Sequence, residues 1–352
     1  MSAESRPSPS PENAPVIYIN LWALGGMKHY SEALVHALAP ACRILFVRNH
    51  ESEQPVEALR VRLEPASPRG LGDLWRLVRT IRQRRPRAIH INSEQPILLP
   101  LFPFFAFYNT IITLHDAVPH DGESLAKRSF MRLHLCLIFL FIRKVIVHSE
   151  VIRGQLPAWL RSKAHVLPLI NFQVAARNQQ PPPADGPFTV LFFGRLLPYK
   201  GLDYLLAAFR LLDTAKFSLC IAGEGELPPD VSSLPNVRVM QRFIADEELP
   251  IVFNQAHVAA LPYVAASQSG VALLAFAFER PVISTRVGAL AEVVTDDFNG
   301  FLVEPRSPEQ LAAALERVSD PATYARLVEN VRRQNVSADE EIRTRLLQLY
   351  GA

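Results

Sequence analysis

Residues 188–193 form an unbroken apolar and β-branched run, FTVLFF, of the kind that a strand buried on both faces of a parallel sheet requires. Beyond it the period changes: Leu202, Leu205, Leu206, Phe209 and Leu212 recur at helical spacing, with Asp203 in the first turn, where the helix dipole favours an acid. The stretch predicts strand, loop, helix. Apolar runs at 217–222, 237–243, 257–261, 281–285 and 300–303, with helical patterns between them, extend it to six strands alternating with helices. Upstream, runs at 16–22, 43–47, 87–91, 144–148 and 165–169, and a β-branched strand that begins at Thr110, repeat the scheme. Such alternation implies doubly wound parallel sheets, with the ligand cleft expected between two similar domains.

Local composition divides the halves. Residues 178–187, NQQPPPADGP, have the makeup of a linker between an N-terminal domain at 16–177 and a C-terminal domain at 188–335. Residues 1–15 are rich in Ser and Pro and lack an apolar h-region, so they read as a disordered tail and the protein is expected in the cytoplasm. Residues 338–350, ADEEIRTRLLQLY, predict an amphipathic helix within 336–352, capped by Ser337. With 352 residues, 49% of them hydrophobic, the chain is long enough for two cores. Cys42, Cys136 and Cys220 sit in apolar surroundings without a CxxC pair; they read as core thiols, not as a disulfide framework or a zinc site.

Charge is unevenly shared. Up to Arg177 there are 22 Lys and Arg against 13 Asp and Glu, a net +9, and the remainder carries 15 against 21, a net −6. Arg76, Arg79, Arg82, Arg84, Arg85 and Arg87 cluster around a predicted helix whose Leu74, Leu77, Val78 and Ile81 supply an ordinary core stripe. They form either a solvated face or a surface for an acidic lipid or a phosphorylated substrate. Two strongly apolar stretches, 96–108 and 133–142, are too rich in proline or too short to cross a bilayer. Buried helices are the expected reading; a membrane-resting face is the alternative, because Lys127, Arg128, Arg132, Arg143 and Lys144 flank the second stretch. Nucleic acid is not an expected partner, since the basic helix lacks interleaved aromatics and no reading motif accompanies it.

The loop after the 188–193 run carries Gly194, Arg195, Lys200 and Gly201. It lies at the carboxyl end of a buried parallel strand, where open α/β sheets bind ligands. Arg forks onto two oxygens and Lys supplies a mobile point charge, so the pair suits a diphosphate. Gly25 and Gly26 follow the first strand, and either let backbone N–H groups approach a ligand or make a plain turn. His115 and Asp116 project from a sheet end, able to bond sugar hydroxyls or to move protons, or else forming a structural pair.

GRLLPYKG at 194–201, IAGEGEL at 221–227, LPYVAASQSGVALLAFAFERPVIST at 261–285 and RVGALAEVVTDDFNGFLVEP at 286–305 together resemble the group 1, or family 4, glycosyltransferases. The Gly25–Gly26 loop, TLHDAVPH and VIVHSE carry the resemblance into the first half. It implies a GT-B fold: two Rossmann-like doubly wound parallel-sheet domains facing a central cleft, the last helix crossing back to the first domain. It implies a nucleotide diphosphate sugar as donor, retaining stereochemistry, and neither metal nor cofactor. By resemblance, Arg195 and Lys200 hold the diphosphate, Gly223, Glu224 and Gly225 lie near the base, His115 approaches the transferred sugar, and Gly25 and Gly26 cover the phosphates.

One departure stands out. The family commonly carries two glutamates eight apart, whereas this chain reads Ser267, Gln268, Ser269, Gly270, Val271 and has no acid until Glu279. One register places Ser267 and Ala275 at the glutamate positions, the other Ala266 and Leu274. The Ser-Gln-Ser-Gly form resembles a subgroup among exopolysaccharide-building transferases, and offers either hydroxyl, amide and backbone donors to a ligand or an ordinary N-cap. Ribose contacts then fall to Glu292, unless it is only a first-turn acid. The expected function is transfer of a sugar to a saccharide or lipid-linked acceptor bound by the basic domain, at or near the inner face of the membrane. A nucleotide-sugar epimerase and a non-catalytic nucleotide-sugar-binding scaffold are the alternatives.

Overall fold

The structure, a computed structural model, describes residues 14–21, 26–48, 56–60, 68–92, 96–115, 125–170, 179–229, 231, 234–266 and 269–351. The chain divides into two compact units, Met1–Ile170 with Glu340–Ala352, and Asn171–Asp339.

The first unit runs β1 (Val16–Asn20), α1 (Gly26–Leu38), β2 (Ile44–Arg48), β3 (Glu57–Arg60), α2 (Pro68–Arg84), β4 (Ala88–Asn92), a 3-10 segment at Pro96–Leu101, α3 (Phe102–Phe105), β5 (Thr110–Thr113), α4 (Leu125–Phe141), β6 (Lys144–Val147), α5 (Glu150–Gln155), α6 (Ala158–Arg161) and β7 (Ala164–Val166). Among the described residues its strands form one parallel sheet in the order β3-β2-β1-β4-β5-β6-β7. The polar edge strand β3, EALR, has no counterpart in the apolar pattern, because an edge strand need not be buried.

Side chains alternate across a strand, so each sheet face draws on every second residue. On one face Ile17, Ile19, Ile89, Ile91, Ile112, Val145 and Val147 pack against Leu77 and Ile81 of α2, Phe102 and Phe105 of α3, Leu135 and Ile138 of α4, and Leu160 of α6. The apolar stretch at 133–142 is only half buried, contrary to the expectation. A helix buries one stripe, and ten successive largely apolar residues cover all of its sides, so Leu133, Cys136 and Leu140 face outward. Cys136 is thus exposed and Cys42 half-buried; Cys220 remains the buried thiol.

The second unit continues with β8 (Phe188–Phe193), α7 (Leu202–Phe209), β9 (Phe217–Ala222), β10 (Val237–Met240), α8 (Leu249–Phe253), β11 (Val258–Leu261), α9 (Gly270–Ala277), β12 (Val282–Thr285), α10 (Leu290–Val293), β13 (Gly300–Val303) and α11 (Pro308–Val318). Its parallel sheet has the order β10-β9-β8-β11-β12-β13, so the six expected strands are all present. Leu205, Leu206 and Phe209 of α7 and Leu311 and Leu315 of α11 close one face over Val190, Phe192, Leu219 and Ile221. The last helix, α12 (Pro321–Tyr350), is longer than expected. It has no break at Ser337, because residues 321–336 already follow a helical pattern that buries Leu327 and Val331, with proline only at the first position.

Candidate functional site

In the second unit the connection after β8 leads to β9 on one side, while β11 pairs on the other. The loops after β8 and β11 therefore diverge at the carboxyl edge, the switch point at which open parallel sheets bind ligands. The loop after β8 is pinned from both flanks. Gly194 N–H donates to the Ala222 carbonyl at 2.9 Å, Leu196 N–H to the Glu224 carbonyl at 2.7 Å, and Val264 N–H to the Tyr199 carbonyl at 2.8 Å.

Lys200 is drawn inward by this arrangement and is only 7% exposed. Its Nζ reaches the Phe193 carbonyl at 3.4 Å and lies 5.3 Å from the Tyr263 ring centroid. A Cβ on Gly194 would sit 2.6 Å from that ammonium, so glycine there leaves room for the lysine to fold back. Gly201 takes φ 71°, and a Cβ on it would lie 2.0 Å from the Pro262 carbonyl oxygen, so it allows the two loops to meet. Burial, and then the charge of Arg195, lower the Lys200 pKa to about 8. Neither cation has a carboxylate partner among the described residues. A desolvated ammonium without an acid, beside an exposed guanidinium, is a built site for an anion.

The other expected donor contacts divide. Gly223, Glu224 and Gly225 form the neighbouring turn, with Glu224 exposed and the Gly225 carbonyl accepting from Gln241 Nε2 at 2.8 Å. Ser269 caps α9: its Oγ accepts from Val271 N–H at 3.2 Å and lies 3.4 Å from the Tyr263 hydroxyl, which joins the helix opened by Gly270 to the ring beside Lys200. Glu292 is exposed in the first turn of α10, beyond the carboxyl end of β12. Ser267 and Gln268 lie outside the described residues, as do Gly25 and Asp116. Gly26 opens α1.

In the first unit the sheet face opposite the apolar core carries a buried polar seam under α1. Asn20, His90, Asn92, Thr113, His115 and His148 each stand at or just past a strand's carboxyl half, all under a tenth exposed. Asn92 donates through Nδ2 to Ser31 Oγ at 2.9 Å, so its Oδ1 accepts from His115 Nε2 at 2.8 Å. The His115 and His148 ring centroids are 4.7 Å apart, and Tyr30 packs edge-on against both at 5.1 Å. His148 donates from Nδ1 to the Leu167 carbonyl at 2.9 Å. His90 bridges Thr113 Oγ1 and the Tyr350 hydroxyl, each at 2.7 Å.

Burial lowers all three histidines: His90 to about 3 with help from His148, His148 to about 4, and His115 well below its usual value with help from His148 and His90. They are neutral at pH 7, and serve as oriented hydrogen-bonding groups and not as cations. The sequence reading reached His115 and missed Asn92, His90 and His148. The available signal was polar residues at every second position of otherwise apolar strands: AIHIN at 88–92, TIITLH at 110–115, KVIVH at 144–148.

Two Rossmann-like parallel-sheet units in one chain, with a buried cation at the carboxyl edge of the second, define the GT-B class of fold. Residues 25–171 match the family described as Glycosyl transferase 4-like domain, and residues 187–320 match Glycosyl transferases group 1, so the chain carries both domains of a GT-B glycosyltransferase. Among curated relatives, an uncharacterized glycosyltransferase of Methanocaldococcus jannaschii, MJ1607, is 30% identical over 154 residues, 42% of this chain and 40% of that protein. The D-inositol 3-phosphate glycosyltransferase of Salinispora arenicola is 31% identical over 200 residues, 51% of this chain and 44% of that protein. The matched segment thus spans less than half of each relative. The structure of Anabaena Alr3699/HepE in complex with UDP and glucose superposes with a TM-score of 0.73 at 17% identity, covering 96% of this chain and 99% of that one. Sucrose-phosphate synthase from Thermosynechococcus elongatus gives 0.69 at 20%, covering 96% and 98%. At such identities the likeness establishes the fold.

Proposed function

We propose that this chain is a glycosyltransferase that moves a sugar from a nucleotide diphosphate donor to a saccharide or lipid-linked acceptor, in the synthesis of a cell-surface polysaccharide. The observation that carries the reading is Lys200, buried at the switch point beside Arg195 with no acid among the described residues to neutralise it. Negative charge grows on the leaving diphosphate as the glycosyl bond breaks, and fixed cations stabilise that charge more than the ground state. The two cations supply this without a metal, and by the resemblance the neutral His115, held by Asn92, approaches the transferred sugar. The bond to the anomeric carbon is replaced on the face it leaves, with a diphosphate oxygen taking the acceptor's proton, so configuration is retained. The relatives' names support the transfer class, and the UDP held by the Anabaena protein supports a nucleotide donor. The Ser-Gln-Ser-Gly segment supports the exopolysaccharide assignment.

The test is a thermal-shift panel of GDP-, UDP-, dTDP- and ADP-sugars against wild type and Lys200→Ala, followed by label transfer to cell-envelope extracts. One donor at a hundred times its dissociation constant stabilises the wild type by about 2.7 kcal/mol. The variant loses that shift and, in turnover, about 3 kcal/mol of transition-state stabilisation. Donor conversion without an acceptor would replace transfer by epimerisation, and binding without turnover would leave a scaffold.

A further inference from the structure

The large apolar side chains exposed in the first unit are distributed on one side only. Among the described residues all of them, Leu71 and Trp75 on α2, Phe107 after α3, Leu133, Phe139 and Leu140 on α4, and Trp159 on α6, belong to the segment that covers one face of the sheet. That the four helices lie side by side follows from their contacts. Arg82 of α2 stands over the Phe104 ring of α3, Phe102 of α3 meets His134 of α4 edge-on, and Phe139 of α4 meets Trp159 of α6 edge-on at 5.2 Å. The polar seam lies on the opposite face, under α1. Scattered apolar residues need no explanation, but an array confined to one face marks an interaction surface.

Cations are interleaved with this array. Arg79 stands over the Trp75 ring at 5.4 Å and Lys163 over Phe139 at 4.8 Å, so their charged ends lie at the level of exposed aromatics. Arg79 and Arg82 line an open groove of about 510 Å³ with Trp75, Val78 and Gln83. Neither arginine has an ion-pair partner among the described residues. The described acids of this segment are already engaged, Asp73 with Arg76 at 2.8 Å and Glu150 with Arg153 at 3.0 Å.

We infer that the α2–α3–α4–α6 face rests on an anionic phospholipid surface, with Trp75, Phe139, Leu140 and Trp159 at the headgroup–acyl boundary and Arg79 and Arg82 receiving a headgroup phosphate. Aliphatic and indole side chains beside snorkelling cations match the chemistry of that boundary. A second copy of the chain fits less well, because a two-fold contact would set the arginine row against itself. No helix among the described residues is long and apolar enough to cross a membrane, so this is a resting contact and not a span. It does not rest on the transfer reading and is tested without donor.

The test is co-sedimentation of the full chain with vesicles of phosphatidylcholine alone and of phosphatidylcholine mixed in equal parts with phosphatidylglycerol. The protein is expected to bind the mixed vesicles about tenfold or more tightly than the neutral ones and to be released by salt. Arg79→Glu with Arg82→Glu, and separately Trp75→Ser with Leu140→Ser, each reduce binding about tenfold while far-UV circular dichroism and the melting curve stay unchanged. All four positions are surface-facing, so neither variant removes core. Failure to bind mixed vesicles overturns the inference, as does binding that both variants retain. Self-association or capture of an acidic protein that the variants abolish, with no vesicle binding, would assign the face to that partner instead.

Discussion

Lys200 shows how one residue couples the fold to its chemistry. An ammonium that burial and a neighbouring guanidinium hold near pKa 8 titrates close to neutrality. Its native pKa lies below the 10.5 of the unfolded chain, so between about 8 and 10.5 the unfolded state binds more protons. Stability without ligand therefore rises as pH rises through that window, while binding of a nucleoside diphosphate, which needs the charged form, weakens by up to about tenfold per pH unit. Thermal melts with and without UDP across this range check both signs; ligand-free melts that do not rise, together with binding that does not weaken, would show that Lys200 carries neither effect. This residue was legible in the sequence because the signal is local: a strand, a glycine, two cations and a helix in one short stretch. Asn92 and His148 were not, since each is an ordinary polar residue at a strand end until the sheet sets it beside His115.

Among elements, the loops after β8 and β11 decide the geometry of the anion site. Their separation depends on Gly201, where a side chain meets both a left-handed φ and the Pro262 carbonyl at 2.0 Å. Gly201→Ala is expected to cost roughly 1–3 kcal/mol of stability and, by moving the adjacent Lys200, to weaken diphosphate binding. Urea melts and nucleotide titration of the variant measure both, and unchanged values would mean that the two loops adjust independently. The apolar stretch at 133–142 gives the opposite lesson. Its composition pointed to burial, but a helix buries only a stripe, and which residues formed that stripe was fixed by Leu135 and Ile138 meeting the sheet.

Across the whole molecule, the end of α12 ties residues far apart in the chain. Lys144 Nζ and Asn109 Nδ2 donate to the Leu349 carbonyl, the second at 3.1 Å, Arg87 donates to the Gly351 carbonyl at 2.7 Å, and the Tyr350 hydroxyl meets His90 at 2.7 Å. Tyr350→Phe leaves the buried His90 Nδ1 without its partner and is expected to cost about 1–3 kcal/mol in the first unit. Chemical denaturation of the full chain measures it, and an unchanged midpoint would mean that His90 regains a partner.

The sequence by itself determined the period of each major element, the two-domain α/β plan and the cation-bearing loop, because hydrophobic periodicity, turn chemistry and helix dipoles act over a few residues. Tertiary structure alone decided which polar residues meet. His115 lies 23 positions from Asn92, and Tyr350 lies 260 from His90. Their contacts exist because β1, β4, β5 and β6 pair in that order and register, which long-range packing selects and no local pattern encodes.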